Sequence, residues 1–116
     1  GGGAKAAEEE KINQELAAVY EAVEKLANKS MEMATAMKEP KQSIINLYVH
    51  KRESSEEGQW QTHRDPFTGR LFERNTKTGE SRYLKLIEMD TDDQKARVRK
   101  SIANIKKAMK TNILTL

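Results

Sequence analysis

Apolar side chains recur early in the chain at Ile12, Leu16, Val19, Val23 and Leu26, in steps of 4, 3, 4 and 3. The same rhythm carries on to Ser30, Met33 and Met37. Steps alternating between three and four keep these side chains in one stripe along an α-helix. Ala4 to Met37 contains no Pro or Gly and is rich in Ala, Glu, Lys, Leu and Met, so one long helix ending before Pro40 is predicted. A stripe this narrow has the form of a coiled-coil seam, which polar Ser30 weakens locally. Glu8, Glu9 and Glu10 suit the positive end of the helix dipole. Near the other end, Val98, Ile102, Ile105, Met109 and Ile113 define a second stripe, spaced 4, 3, 4 and 4. Asp90-Thr91-Asp92-Asp93 supplies its start, with Asp90 or Thr91 as cap and two aspartates in the first turn.

The rhythm changes between these helices. Ser43 to His50 (SIINLYVH) is apolar and partly β-branched, and periodicity leaves it as a short strand or a helical turn. Lys51 to Gly58 is a polar loop. Trp60 to Arg64, Arg70 to Asn75 and Ser81 to Leu84 read as three short strands. Between them lie two turns, Asp65-Pro66-Phe67-Thr68-Gly69 and Thr76-Lys77-Thr78-Gly79-Glu80. Pro66 presets its backbone angle, Asp65 can accept from the amides that follow it, and each Gly can take a positive φ. An antiparallel meander follows. The expected class is therefore α+β: a long N-terminal helical arm over 1–39, a linker over 40–57, a small three-stranded sheet over 58–87 and a basic C-terminal helix over 90–116.

Within 58–86 the residues resemble a WW domain. Trp60 stands at the first Trp of that pattern, Gly69-Arg70 and Asn75 match the second strand, Thr78 the turn Thr, and Ser81 the following Ser/Thr. Tyr83 replaces the second Trp at the usual distance from Asn75. The resemblance covers about a quarter of the chain. It implies that Phe72 and Tyr83 form a groove for a proline ring on one face, with Arg74, Thr76 and Ser81 as polar contacts. It also implies a module core of Trp60, Asn75 and Leu86. Two departures bear on that core: Glu73 stands where an aromatic packs on the first Trp, and Leu86 where a Pro closes the buckle. A carboxylate facing an indole requires an ion-pair partner, for which Arg64 and Lys85 are candidates. Phe72 and Tyr83 serve either as a peptide groove or as packing residues of a structural spacer.

Charge adds an asymmetry. The chain carries +3 overall, but residues 1–40 carry −3, 41–90 carry +1 and 91–116 carry +5. The basic C-terminal helix, with Lys106, Lys107 and Lys110, can pack on the acidic arm or face an acidic partner. Helix-interface positions are Ile12, Leu16, Val19, Val23, Leu26, Met33 and Met37 on the first stripe and Val98, Ile102, Ile105 and Met109 on the second. Met31, Met33 and Met37 together make an adaptable apolar patch. Trp60, Arg64, Phe67, Arg70, Phe72 and Arg74 interleave aromatic and basic groups, as a single-stranded nucleic-acid surface does.

Composition narrows the functions. Hydrophobic residues are 36% and charged residues 34%, thin material for one large core, so apolar faces shared with partners are expected. Cys is absent, which removes thiol chemistry and disulfides and fits an intracellular, cytoplasmic setting. No membrane span and no secretory leader is expected. His50 and His63 lie 13 residues apart without further ligands at zinc-site spacing, so no metal or cofactor is expected. No phosphate-cradling loop and no nucleophile beside a His is present, and an enzyme is not expected. The expectation is a scaffold protein that binds other proteins in a multi-subunit assembly, cytoskeletal or ciliary in setting. The alternatives are an adaptor for Pro-rich peptides and a nucleic-acid-binding protein.

Overall fold

A computed structural model describes residues 2–49 and 58–115 of the chain. His50 and most of the predicted polar loop lie outside the described residues. The fold mixes helix and sheet, with a long N-terminal helix, a three-stranded antiparallel sheet and a C-terminal helix. In order these are α1 (Gly2–Ala27), α2 (Met31–Ala36), α3 (Lys38–Ile45), β1 (Tyr48–Val49), β2 (Trp60–Arg64), β3 (Leu71–Asn75), β4 (Ser81–Tyr83), β5 (Lys85–Leu86) and α4 (Asp92–Leu114). Strands β2, β3 and β4 form the meander, and β1 and β5 form a separate two-stranded sheet. The chain divides into two compact units, Gly1–Ala18 with Val49–Leu86, and Val19–Tyr48 with Ile87–Leu116.

The N-terminal arm departs from the single helix predicted. It breaks after Ala27 at a turn through Asn28 and Lys29. Ser30, expected only to weaken a seam, starts a new helix: its hydroxyl accepts from the Met33 amide at 3.0 Å. A side-chain acceptor of this kind satisfies one of the orphan amides at a helix start. Pro40 does not end a helix either. It is the third residue of α3, where its missing N–H removes no helical bond, and it is buried. The segment expected as linker thus continues as helix to Ile45 and then as strand over Tyr48–Val49. Because α1 begins at Gly2, Glu8, Glu9 and Glu10 lie beyond its first turn.

The first stripe is interior surface. Leu16 and Val23 are fully buried within the chain, as are Ile12 and Met37 nearly so, while Val19, Leu26 and Met33 are half-buried. Asn13, Ala17 and Tyr20 are buried beside them, so the face is wider than a coiled-coil seam. The three methionines do not form one patch: Met31 is exposed and Met37 is core.

In the second unit, α2, α3 and α4 pack on one another, with Val98, Ile102 and Ile105 of α4 buried and Met109 half-buried. Asn112 Nδ2 donates to the Ala36 carbonyl at 2.9 Å, joining α4 to the end of α2. Lys41 of α3 reaches Glu24 of α1 at 2.7 Å and lies 5.8 Å from the Tyr20 ring centroid. The start of α4 is a full capping box. Thr91 Oγ1 accepts from the Gln94 amide at 3.1 Å, and Gln94 Oε1 accepts from the amides of Asp90 and Thr91 at 2.8 and 3.0 Å. Thr91→Ala is expected to cost about 1 kcal/mol in chemical denaturation, with the native far-UV spectrum retained.

Candidate peptide-binding groove

In the first unit, the two tight turns fix the sheet register. Gly69 and Gly79 take φ of 69° and 79°, the left-handed region that the turns require. Asp65 Oδ1 accepts from the Phe67 amide at 2.8 Å, as the sequence suggested for the first turn. Asn75 does the same in the second, its Oδ1 accepting from Lys77 and Thr78 at 2.8 and 3.1 Å, and it is buried. Asn75 therefore holds the turn. Thr76 is also structural: its amide and hydroxyl both donate to the Gln59 carbonyl, at 2.7 and 3.1 Å. The resulting register sets Phe72 opposite Tyr83, Glu73 opposite Arg82, and Arg74 opposite Ser81. Because side chains alternate across a strand, Phe72, Arg74, Ser81 and Tyr83 share one face, and Glu73 and Arg82 the other.

On the second face the register resolves the buried carboxylate. Glu73 is 3% exposed, and its Oε1 accepts from Arg82 Nε at 2.8 Å. Arg82 is thus a partner of Glu73 that lies neither at Arg64 nor at Lys85 in the sequence but directly across the ladder. The Arg82 guanidinium also lies over the Trp60 ring, 4.0 Å from its centroid. Glu73, Arg82 and Trp60 thus form a stack in which a cation is shared between a carboxylate and an indole face. Leu71 and Leu84 are buried in the same unit, and Leu86 is buried on β5 outside the three-stranded sheet.

On the first face lies a groove of about 360 Å³ lined by Asp65, Pro66, Phe67, Phe72, Ser81, Arg82 and Tyr83. Phe67, at the tip of the first turn, is 96% exposed, and Tyr83 is 46% exposed. The Phe72 ring has Tyr83 across the ladder and His63 beside it, with His63 and Phe72 centroids 5.7 Å apart. Tyr83 is fixed at both ends. Its hydroxyl donates to Asp65 Oδ2 at 2.5 Å, and the Arg70 guanidinium covers its ring at 4.8 Å. Arg70 in turn faces Glu10 of α1 at 3.9 Å. The Tyr83 hydroxyl, with the Phe67 amide second, holds the Asp65 carboxyl below the usual carboxylate range.

Of the residues expected at a peptide site, the structure gathers Phe72, Tyr83 and Ser81 into one groove, places Arg74 on the same face, and assigns Thr76 to the turn. Sequence reasoning missed Phe67, Asp65 and Arg82. The signal for Arg82 was present, since pairing Phe72 with Tyr83 in an antiparallel ladder makes Glu73 and Arg82 neighbours. The interleaved aromatic and basic residues divide between the faces: Trp60 lies under Arg82 on the second, while Phe67 and Phe72 line the groove on the first, with Arg70 over the Tyr83 ring and Arg74 on the same face. Lys106, Lys107 and Lys110 are exposed on α4. A second cavity of about 330 Å³, lined by Glu39, Ser43, Asn46, Leu47, Ser101, Asn104, Ile105 and Ala108 in the second unit, contains no aromatic side chain. Among the described residues no helix is long and apolar enough to cross a membrane. No protein-family model, no curated protein and no solved structure matches the chain.

Proposed function

We propose that the chain is a non-enzymatic interaction protein within a larger protein assembly, and that its WW-like sheet binds an extended, proline-containing peptide between Phe72 and Tyr83. The observation that carries this reading is the groove lined by exposed Phe67 together with Phe72 and its cross-strand partner Tyr83. A polyproline II segment has no internal hydrogen bonds and presents flat, apolar rings every third residue. Aromatic-lined grooves hold such rings at low entropic cost, because the polyproline II helix is already formed in the free ligand. Ser81 at the groove wall offers a hydroxyl to a peptide carbonyl. The helices of the second unit bury their apolar stripes within the chain, so the reading places partner recognition on the sheet.

Titration of the whole chain with proline-rich decapeptides tests this reading. The expected result is saturable movement of the Phe72, Tyr83 and Phe67 NMR signals, lost at least tenfold in affinity in Phe72→Ala. Unmoved signals at millimolar peptide would defeat it. Duplex or single-stranded oligonucleotides in the same titration are expected to leave those signals unchanged.

A further inference from the structure

The groove face carries a cation that no ion pair or side-chain hydrogen bond among the described residues engages. Arg74 lies two residues along β3 from Phe72, on the same face and directly opposite Ser81. It is exposed, and among the described residues it makes no ion pair and no side-chain hydrogen bond. Its guanidinium lies along the second turn, where a Cβ on Gly79 would meet it at 3.9 Å. Several other charged groups near the sheet have partners of their own. Glu73 is paired with Arg82, Asp65 holds Tyr83, and Arg70 covers the Tyr83 ring and faces Glu10. Glu80, exposed in the second turn, makes no ion pair with Arg74. His63, cross-strand partner of Phe72, lies on the same face.

Resting on the peptide reading above, the geometry points to a ligand of narrower class: a proline-containing peptide bearing an anionic side chain two or three residues from the proline held by Phe72 and Tyr83. Distance sets the spacing. Two strand residues separate Phe72 from Arg74 by about 7 Å. A polyproline II chain advances about 3.1 Å per residue, so two residues cover the same span, and the length of the arginine side chain admits a third. Charge sets the chemistry. An exposed guanidinium is a two-pronged donor for a carboxylate or a phosphate, and neither needs to displace an existing partner.

The test compares peptides identical except for Glu, Gln, Lys or phosphoserine at that spacing, placed on either side of a Pro-Pro pair, against the whole chain and its Arg74→Ala and Arg74→Glu variants. For the unsubstituted chain, Glu is expected to bind about three- to fivefold tighter than Gln, the range of an exposed ion pair. Phosphoserine is expected to exceed Glu if a phosphate is the better match, and to equal it if only charge counts; either supports an anionic subsite. The preference is expected to vanish in Arg74→Ala, to pass to Lys in Arg74→Glu, and to shrink in 0.5 M salt. If the Phe72 and Tyr83 signals move equally with Glu, Gln and Lys peptides, the anionic subsite is overturned while the groove stands. If no peptide moves them, the groove reading falls and this inference with it.

Discussion

Arg82→Ala is expected to destabilise the chain by about 2–3 kcal/mol, a large effect for a residue whose side chain is 44% exposed. The reason is what the substitution leaves behind. Glu73 is 3% exposed, and Arg82 Nε donates to it at 2.8 Å. Removing the cationic member of a buried pair leaves the carboxylate short of a charged donor, which costs more than the pair contributes when intact. The exposure of Arg82 places the expected loss at the lower end for such pairs. Loss of the guanidinium over Trp60 adds a smaller term, about 0.5–1 kcal/mol. A double-mutant cycle separates the two. Once Glu73 is replaced by Gln, the buried charge is gone and Arg82→Ala is expected to cost less, with a coupling of about 1–2 kcal/mol. Urea unfolding followed through Trp60, the only tryptophan, reports directly from the stack. A cost for Arg82→Ala below about 0.5 kcal/mol, or additive single costs, would show that the stack does not hold the sheet together.

Ile44→Ala carries the second large effect, about 3 kcal/mol. Ile44 is fully buried in α3, in a stretch whose sequence suggests a linker. Truncating a buried aliphatic side chain loses its transfer energy and leaves a cavity that packed helices close only in part. Lys38→Ala, at the exposed start of the same helix, is expected to stay within about 0.5 kcal/mol. The two variants are compared by denaturant midpoint under far-UV circular dichroism. Equal midpoints would mean that α3 does not pack as described. Against a total stability of about 5–15 kcal/mol, a loss of 3 kcal/mol is readily measured.

The sheet was legible because its information is local. Trp60–Arg64 forms the predicted strand, and the glycine turns at Gly69 and Gly79 take the positive φ that their sequences imply. Each turn has a side chain, Asp65 or Asn75, that satisfies the following amides and therefore fixes the register. With register fixed, the shared face of Phe72 and Tyr83 follows from alternation alone. The helical region was less legible because its stripe is degenerate. Leu26, Ser30, Met33 and Met37 continue the arithmetic of one helix, while the chain turns at Asn28–Lys29 and restarts under a Ser30 cap. A serine three residues before an amide it can accept from reads equally as a seam defect or as a start signal. Pro40 is ambiguous in the same way, since the rule that ends a helix before proline does not act within the first turn of the next one. The pairing of Glu73 with Arg82 depended on a cross-strand neighbour, which becomes visible only once the register is fixed.

The hydrogen bond from Tyr83 to Asp65 and the guanidinium stacked on the Tyr83 ring have a consequence for the thermodynamics of association. A side chain free to rotate before a partner arrives gives up about 0.5–1.5 kcal/mol of rotamer entropy when it is immobilised. Tyr83 has already surrendered that freedom on folding, so a ligand entering beside it meets a wall that does not have to be ordered again. The heat of binding at this wall should then reflect contact and dehydration, with little opposing entropy from the protein side.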